Sequence, residues 1–193
     1  MSRSSSRDLA LVATFAAVVA ALGVLPGVYP FGIPVPVTAQ SLGVMLAGAV
    51  IGARRGFLSL VLLLVLVAIG LPLLAGGRGG LAVFASPSVG FLLGWPVAAF
   101  VVGWLTERGG APYRMVWGIA ANVVGGIVVL YALGTLGMMW RLHLGVGAAL
   151  ALNGWYVVGD AAKVVVAALV ARGVHAAYPG LLDRRLERQH SAA

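Results

Sequence analysis

Asp160 and Lys163 stand three residues apart in VVGDAAKVVVAAL, residues 157–169, a stretch otherwise made of Val, Ala, Gly and Leu. Lys163 is the chain's single lysine. On a helix, residues i and i+3 share a face, so the carboxylate and the ammonium can lie side by side. Each charge near the centre of a bilayer costs about 2.5–3.5 kcal/mol on insertion scales. An ion pair lowers that cost without cancelling the desolvation of both groups. Three roles fit. The two are a structural pair that orients its helix, a pair at the outer interface with the lysine snorkelling, or a polar handle for a ligand or a coupled ion. As a handle, Asp160 offers acceptors to N–H groups and Lys163 offers donors to a carbonyl or carboxylate. Together they suit a small molecule with an amide- or urea-like edge.

Other polar side chains are scattered among apolar ones. Gln40, with Thr38 and Ser41, opens a helix after a proline-rich loop. Ser86 and Ser88 flank Pro87, and Asn122 and Tyr131 lie nine residues apart on one expected helix. Each is a candidate ligand contact and equally a candidate interhelical hydrogen bond, since polar side chains glue membrane helices. Trp95, Trp140, Trp155 and Tyr156 read as interface anchors, and Trp155 alternatively as a pocket wall beside Asp160.

The elements that must position these groups follow from composition. Charged residues are 9% of the 193 and hydrophobic ones 61%, against about 25% charged in a soluble domain. Residues 9–53, 56–77, 79–106 and 115–140 carry no charge. Uncharged apolar runs of about 18 residues or more read as membrane spans. The expectation is an all-α integral membrane protein with six transmembrane helices at 9–25, 37–53, 56–71, 88–106, 115–136 and 150–172, with Pro96 as a kink site in the fourth. The first run, LALVATFAAVVAALGVL, is 17 residues long, above the roughly 7–15 of a signal-peptide core, and is read as a retained helix. The organisation is one membrane domain, 9–172, between an N-terminal segment 1–8 and a polar tail 173–193. PGVYPFGIPVP, with four prolines in eleven residues, cannot be helical. The loop 72–87, with four glycines around Arg78, either leaves the bilayer or lines a site.

Six helices put both termini on one side. With the N-terminus cytoplasmic, Arg3, Arg7, Arg54, Arg55, Arg108, Arg114, Arg172, Arg184, Arg185 and Arg188 lie inside, and Arg78 and Arg141 outside. That bias places both termini in the cytoplasm of a multi-pass protein of the cell membrane. The net charge of +8 follows from the same asymmetry, and no nucleic-acid motif accompanies it. The absence of cysteine excludes disulfides and thiolate chemistry. There is no P-loop, no GxSxG and no HExxH, and Asp160 is the one acid within a span. Enzyme and metal-site readings therefore fall away.

Helix one carries Ala13, Ala17 and Ala21 at four-residue spacing, beside Ala16 and Ala20, and helix two repeats the idea with Gly48 and Gly52. Small residues at this spacing let another helix approach closely, within the bundle or from a second membrane protein.

IPVPVTAQSLGVMLAG, residues 33–48, resembles the second-helix signature of the BioY family, the biotin-binding S components of energy-coupling-factor (ECF) transporters. The pattern continues through GARRGFLSL, GLPLLAGGRGGLAVFASPSVGFLLGWP and GDAAK, so the resemblance covers about residues 10–172. It implies a six-helix bundle that captures biotin from outside, with its site among the outer loops and helices four to six. It implies a transmembrane coupling protein and cytoplasmic ABC-type ATPases as partners, with ATP used by them and no cofactor bound here. Ala13 and Ala17 would dock on the coupling protein. Asp160 and Lys163 match the family's acidic-x-x-Lys motif and would hold the ureido ring, with Gln40, Ser88, Asn122 and Tyr131 as further polar contacts. Phe84, Phe91 and Trp155 would pack on the ring and chain. Arg78 is a candidate partner for the carboxylate, or a solvated loop tip. The chain departs from the pattern in WYVVGD, which lacks prolines before Gly-Asp, and in SPSVGF, which stands for a GPTGGY-like stretch. The competing reading from the residues alone is an ion-coupled secondary transporter of another small solute, with Asp160 as its protonation site; a purely structural membrane subunit is a third.

Overall fold

The computed structural model describes residues 3–29 and 32–181, with the backbone alone for 3–5. Pro30 and residues 182–193, most of the expected polar tail, lie outside the described residues. The described chain is helical: α1 Arg3–Leu22, α2 Gln40–Ala68, α3 Val89–Gly109, α4 Met115–Val123, α5 Leu130–Leu142 and α6 Val146–Ala177. A 3-10 turn, Leu81–Ala85, precedes α3, and a π stretch, Val124–Val129, joins α4 to α5. Among the described residues, Gln40–Ala68, Val89–Gly109 and the α4–α5 rod Met115–Leu142 are long and apolar enough to cross a membrane.

α2 is two arms, which the sequence placed at 37–53 and 56–71. The break falls at Gly52 rather than at the arginine pair after it, because Gly52 takes φ 83, a conformation that side-chain-bearing residues resist. The arms fold back on each other. Gly56 lies against Ala47 and Gly48, and Gln40 at the start of the first arm bonds to Leu73 just past the end of the second. The new helix start at Ala53 is capped from outside: its N–H donates to Glu107 Oε1 at 2.9 Å. A carboxylate suits a helix N-terminus, where unpaired N–H groups and the helix dipole both favour negative charge.

α3 seats into this hairpin through glycine. A methyl group on Gly103 would strike the Ala53 nitrogen, and one on Gly48 would strike the Ala99 carbonyl. In a bilayer, lipid tails are as apolar as leucine, so helices associate through close packing rather than through escape from water. Leu60, Leu63, Val67, Ala98, Ala99, Trp95 and Leu130 fill the resulting core. α3 runs on through the buried Pro96. The fifth expected helix, 115–136, extends to Leu142, and the sixth, 150–172, spans Val146–Ala177.

The two ends of the bundle differ. At one, Arg55 forms an ion pair with Asp8 of α1 at 2.7 Å and donates to the Leu181 carbonyl beyond α6. Tyr113 stacks on His175 with ring centroids 5.2 Å apart, and burial pushes its phenol above the ordinary tyrosine value, keeping it neutral there. At the other, two short antiparallel pairings close the loops: Val28 with Val37, and Leu74 with Arg78.

Candidate functional site

Asp160 and Lys163 lie side by side on one face of α6, as helical spacing requires, at 2.7 Å from Oδ1 to Nζ. Two further elements complete their bonding. Ser41, in the first turn of α2, is 3.0 Å from Asp160 Oδ1, and Tyr131 of α5 donates to Oδ2 at 2.8 Å. Lys163 also donates to the Thr38 carbonyl at 2.7 Å and to Ser41 Oγ at 2.9 Å. All three lysine protons are therefore placed. The carboxylate, with room for about four donors, has one acceptor position left beyond these three.

The proline-rich loop supplies Thr38 because it is held down. Val28 and Val37 exchange backbone bonds of 2.9 and 2.8 Å, and Tyr156 donates its hydroxyl to the Val35 carbonyl at 2.9 Å. Tyr131, Tyr156 and Phe91 then form a mutual edge-to-face cluster, with centroids 5.9 to 6.4 Å apart. Gly134 makes this possible, since any side chain there would enter the Phe91 ring. Between the cluster, the α2 start and loop 72–80 lies a pocket of about 560 Å³, counted to its open mouth.

Seven expected site residues line this one pocket: Asp160, Lys163, Gln40, Ser88, Tyr131, Phe91 and Arg78. Lys163 and Arg78 against Asp160 leave it one net positive formal charge. Three others stand elsewhere. Asn122 is fully buried in α4 and donates to the Gly118 carbonyl one turn back. Phe84, half-buried in the 3-10 turn, packs against the core. Trp155 is 51% exposed, because it stands one residue before Tyr156, which takes the inward position. Gln40 lines the wall, yet both of its amide donors and its oxygen are bonded to backbone: Val19 O, Leu73 O and Ala75 N–H. Ala13 and Ala17 are exposed on α1 with Ala21, while Val12, Ala16 and Val19 face the bundle.

Tyr156 and Trp95, expected as interface anchors, are buried pocket walls instead. Spacing held the signal for both. Tyr156 precedes Asp160 by four residues and Trp95 follows Ser88 by seven, so each shares a helix face with a site residue. The contribution of the Thr38 carbonyl had no such signal, since it depends on how the loop folds. Among the described residues no group of three or more His, Cys, Asp or Glu side chains could hold a metal ion.

The model of the BioY family matches residues 1–180. The chain belongs to the BioY family. The biotin transporter BioY of Rhizobium etli is 51% identical over 186 residues, covering 93% of this chain and 99% of that protein. The biotin transporter BioY of Rhodobacter capsulatus is 47% identical over 189 residues, covering 93% and 98%. A crystal structure of the S-component for biotin from an ECF-type ABC transporter has the same fold, with a TM-score of 0.85 at 27% identity over 91% of this chain and 94% of that one. In this BioY-family membrane protein, α5, α6 and the α2 start thus converge on a pocket that pairs an apolar, aromatic wall with a few fixed polar groups, the usual make-up of a small-molecule site.

Proposed function

We propose that this chain captures biotin from outside the cell and delivers it as the substrate-binding subunit of an ECF-type transporter in the cytoplasmic membrane. The observation that carries the reading is Asp160, paired on one side and left with one acceptor position beside an aromatic wall. Biotin presents complementary chemistry: ureido N–H donors, an apolar fused ring and chain, and one carboxylate. A ureido N–H bonds the open position of Asp160. The ring lies against Phe91, Tyr131, Tyr156 and Trp95. Ser88, buried and bonded to Ser86, lines the pocket, and the carboxylate turns to Arg78. The net positive charge of the pocket favours such a monoanion. Binding needs no covalent step and no cofactor, so the chain acts by capture and not as an enzyme.

Transport then requires partners. The membrane domain, 9–172, crosses the bilayer six times with both termini cytoplasmic, which puts the Arg55–Asp8 end inside and the pocket outside. The exposed Ala13 and Ala17 give α1 a flat face on which a transmembrane coupling protein packs, with ABC-type ATPases energising the complex. Family membership and the names of the relatives support this assembly.

The test is equilibrium binding of labelled biotin to purified protein in detergent, beside Asp160→Asn and Lys163→Ala. Saturable binding lowered by about tenfold or more in both variants is expected, the scale of hydrogen bonds to charged groups. No binding by folded wild type would sink the proposal.

A further inference from the structure

The pocket's outer wall is built from a segment with little shape of its own. In residues 73–80, Gly76, Gly77 and Gly80 all have positive φ, and glycine has no steric preference to hold them there. Yet Leu74, near the start of this segment, is 1% exposed and lines the pocket. Something outside the loop fixes it.

The fastening is Gln40. Its Nε2 donates to Leu73 O at 3.0 Å and its Oε1 accepts from the Ala75 N–H at 3.0 Å, so one amide grips the backbone on both sides of Leu74. The second Nε2 proton goes to Val19 O on α1 at 3.1 Å. Gln40 is 1% exposed, and these three bonds use both of its donors and one of the two acceptor positions of its oxygen. Gly23 leaves room for the grip, because a methyl there would press on Leu73 O and stand 2.8 Å from Gln40 Nε2. Leu74 and Arg78 then exchange backbone bonds of 3.0 and 3.2 Å, and Arg78 Nε donates to Ala75 O at 3.1 Å. Arg78 is thereby hung from the residue that Gln40 holds.

We propose that Gln40 is a positioning residue: it offers no polar atom to the ligand, and instead clasps residues 73–75 to α1 and α2 so that Leu74 and Arg78 close the pocket. The ligand part of this rests on the biotin reading; the clasp itself does not. Gln40 adjoins Ser41, so the clasp and the Asp160–Lys163 site share the first turn of α2. Asp160, Lys163, Arg78, Tyr131 and Tyr156, the pocket's titratable groups, make none of the Gln40 bonds.

Gln40→Glu separates clasping from bulk. A protonated glutamic acid keeps one donor and the acceptor; its ionised form keeps no donor and faces two carbonyl oxygens. Burial raises a carboxyl's pKa, so both forms are reachable between about pH 5.5 and 8.5. Backbone amide exchange of residues 73–80 in the ligand-free full chain is measured relative to wild type at each pH, together with the rate of biotin release. The expected result is exchange and release both faster by about tenfold or more at the higher pH, the scale of one lost buried hydrogen bond, and both returning toward wild type at the lower. If the buried carboxylate prevents folding, Gln40→Met makes the same comparison uncharged, with faster exchange expected at both pH values. Wild-type exchange in the folded variants, or a loosened loop with unchanged biotin release, overturns the proposal. Wild type that binds no biotin removes the transport reading, and the exchange ratio still decides the clasp.

Discussion

Tyr131 on α5 and Asp160 on α6 meet hydroxyl to Oδ2 at 2.8 Å, while Lys163 and Ser41 both sit on Oδ1. The two oxygens of one carboxylate thus do separate jobs. Oδ1 holds α6 to the start of α2, and Oδ2 holds α6 to α5 and keeps the remaining acceptor capacity.

Tyr131→Phe removes that second tie and keeps the ring against Phe91 and Tyr156. Biotin affinity is expected to fall by about tenfold, since a hydrogen bond to a charged group is worth ~1.5–3 kcal/mol and part of the loss is recovered by a ligand N–H taking the freed oxygen. Calorimetric titration checks it; wild-type affinity would show that the Tyr131 hydroxyl does not hold Asp160 in its binding position.

Arg78→Gln discriminates the two ends of the ligand. Affinity for biotin is expected to drop by about tenfold or more, and affinity for the neutral biotin amide to stay within about twofold of wild type. Competition binding with both compounds reads the difference. Equal losses for the two would place the carboxylate elsewhere.

Gly103→Ala tests the seat of α3 in the α2 hairpin. The added methyl collides with the Ala53 backbone, which cannot swing aside, so a destabilisation of about 1–3 kcal/mol is expected in thermal unfolding in detergent. Gly154→Ala is the control. It lies mid-helix in α6 with open space where the methyl goes, and should stabilise by about 0.5–1 kcal/mol.

Glu107→Ala leaves the Ala53 N–H at the helix break without its carboxylate. A loss of about 0.5–2 kcal/mol is expected, as for a missing helix cap. Glu107→Gln, which keeps an acceptor oxygen, should recover more than half of it. Thermal melts of the two variants side by side decide between capping and bulk.

The sequence by itself determined the helices and the ion pair. Apolar runs and their breaks are local properties, so six rods could be drawn before any contact was known, with errors confined to their ends and to the break at Gly52. Asp160 and Lys163 were adjacent by helical spacing alone. Only the tertiary structure decided what meets them. The Thr38 carbonyl and Ser41 come from the start of α2 and Tyr131 from α5, and whether they converge on α6 depends on how far each helix is turned about its axis. That rotation is set by where glycines let backbones touch, at Gly48 and Gly103, and by Gly134, which admits the Phe91 ring. The same rotation turned Trp155 outward and Tyr156 inward, although the two are neighbours. Gln40 shows the limit most directly. Its side chain could have served ligand or backbone equally well, and the choice was made by carbonyls 21 and 33 positions away.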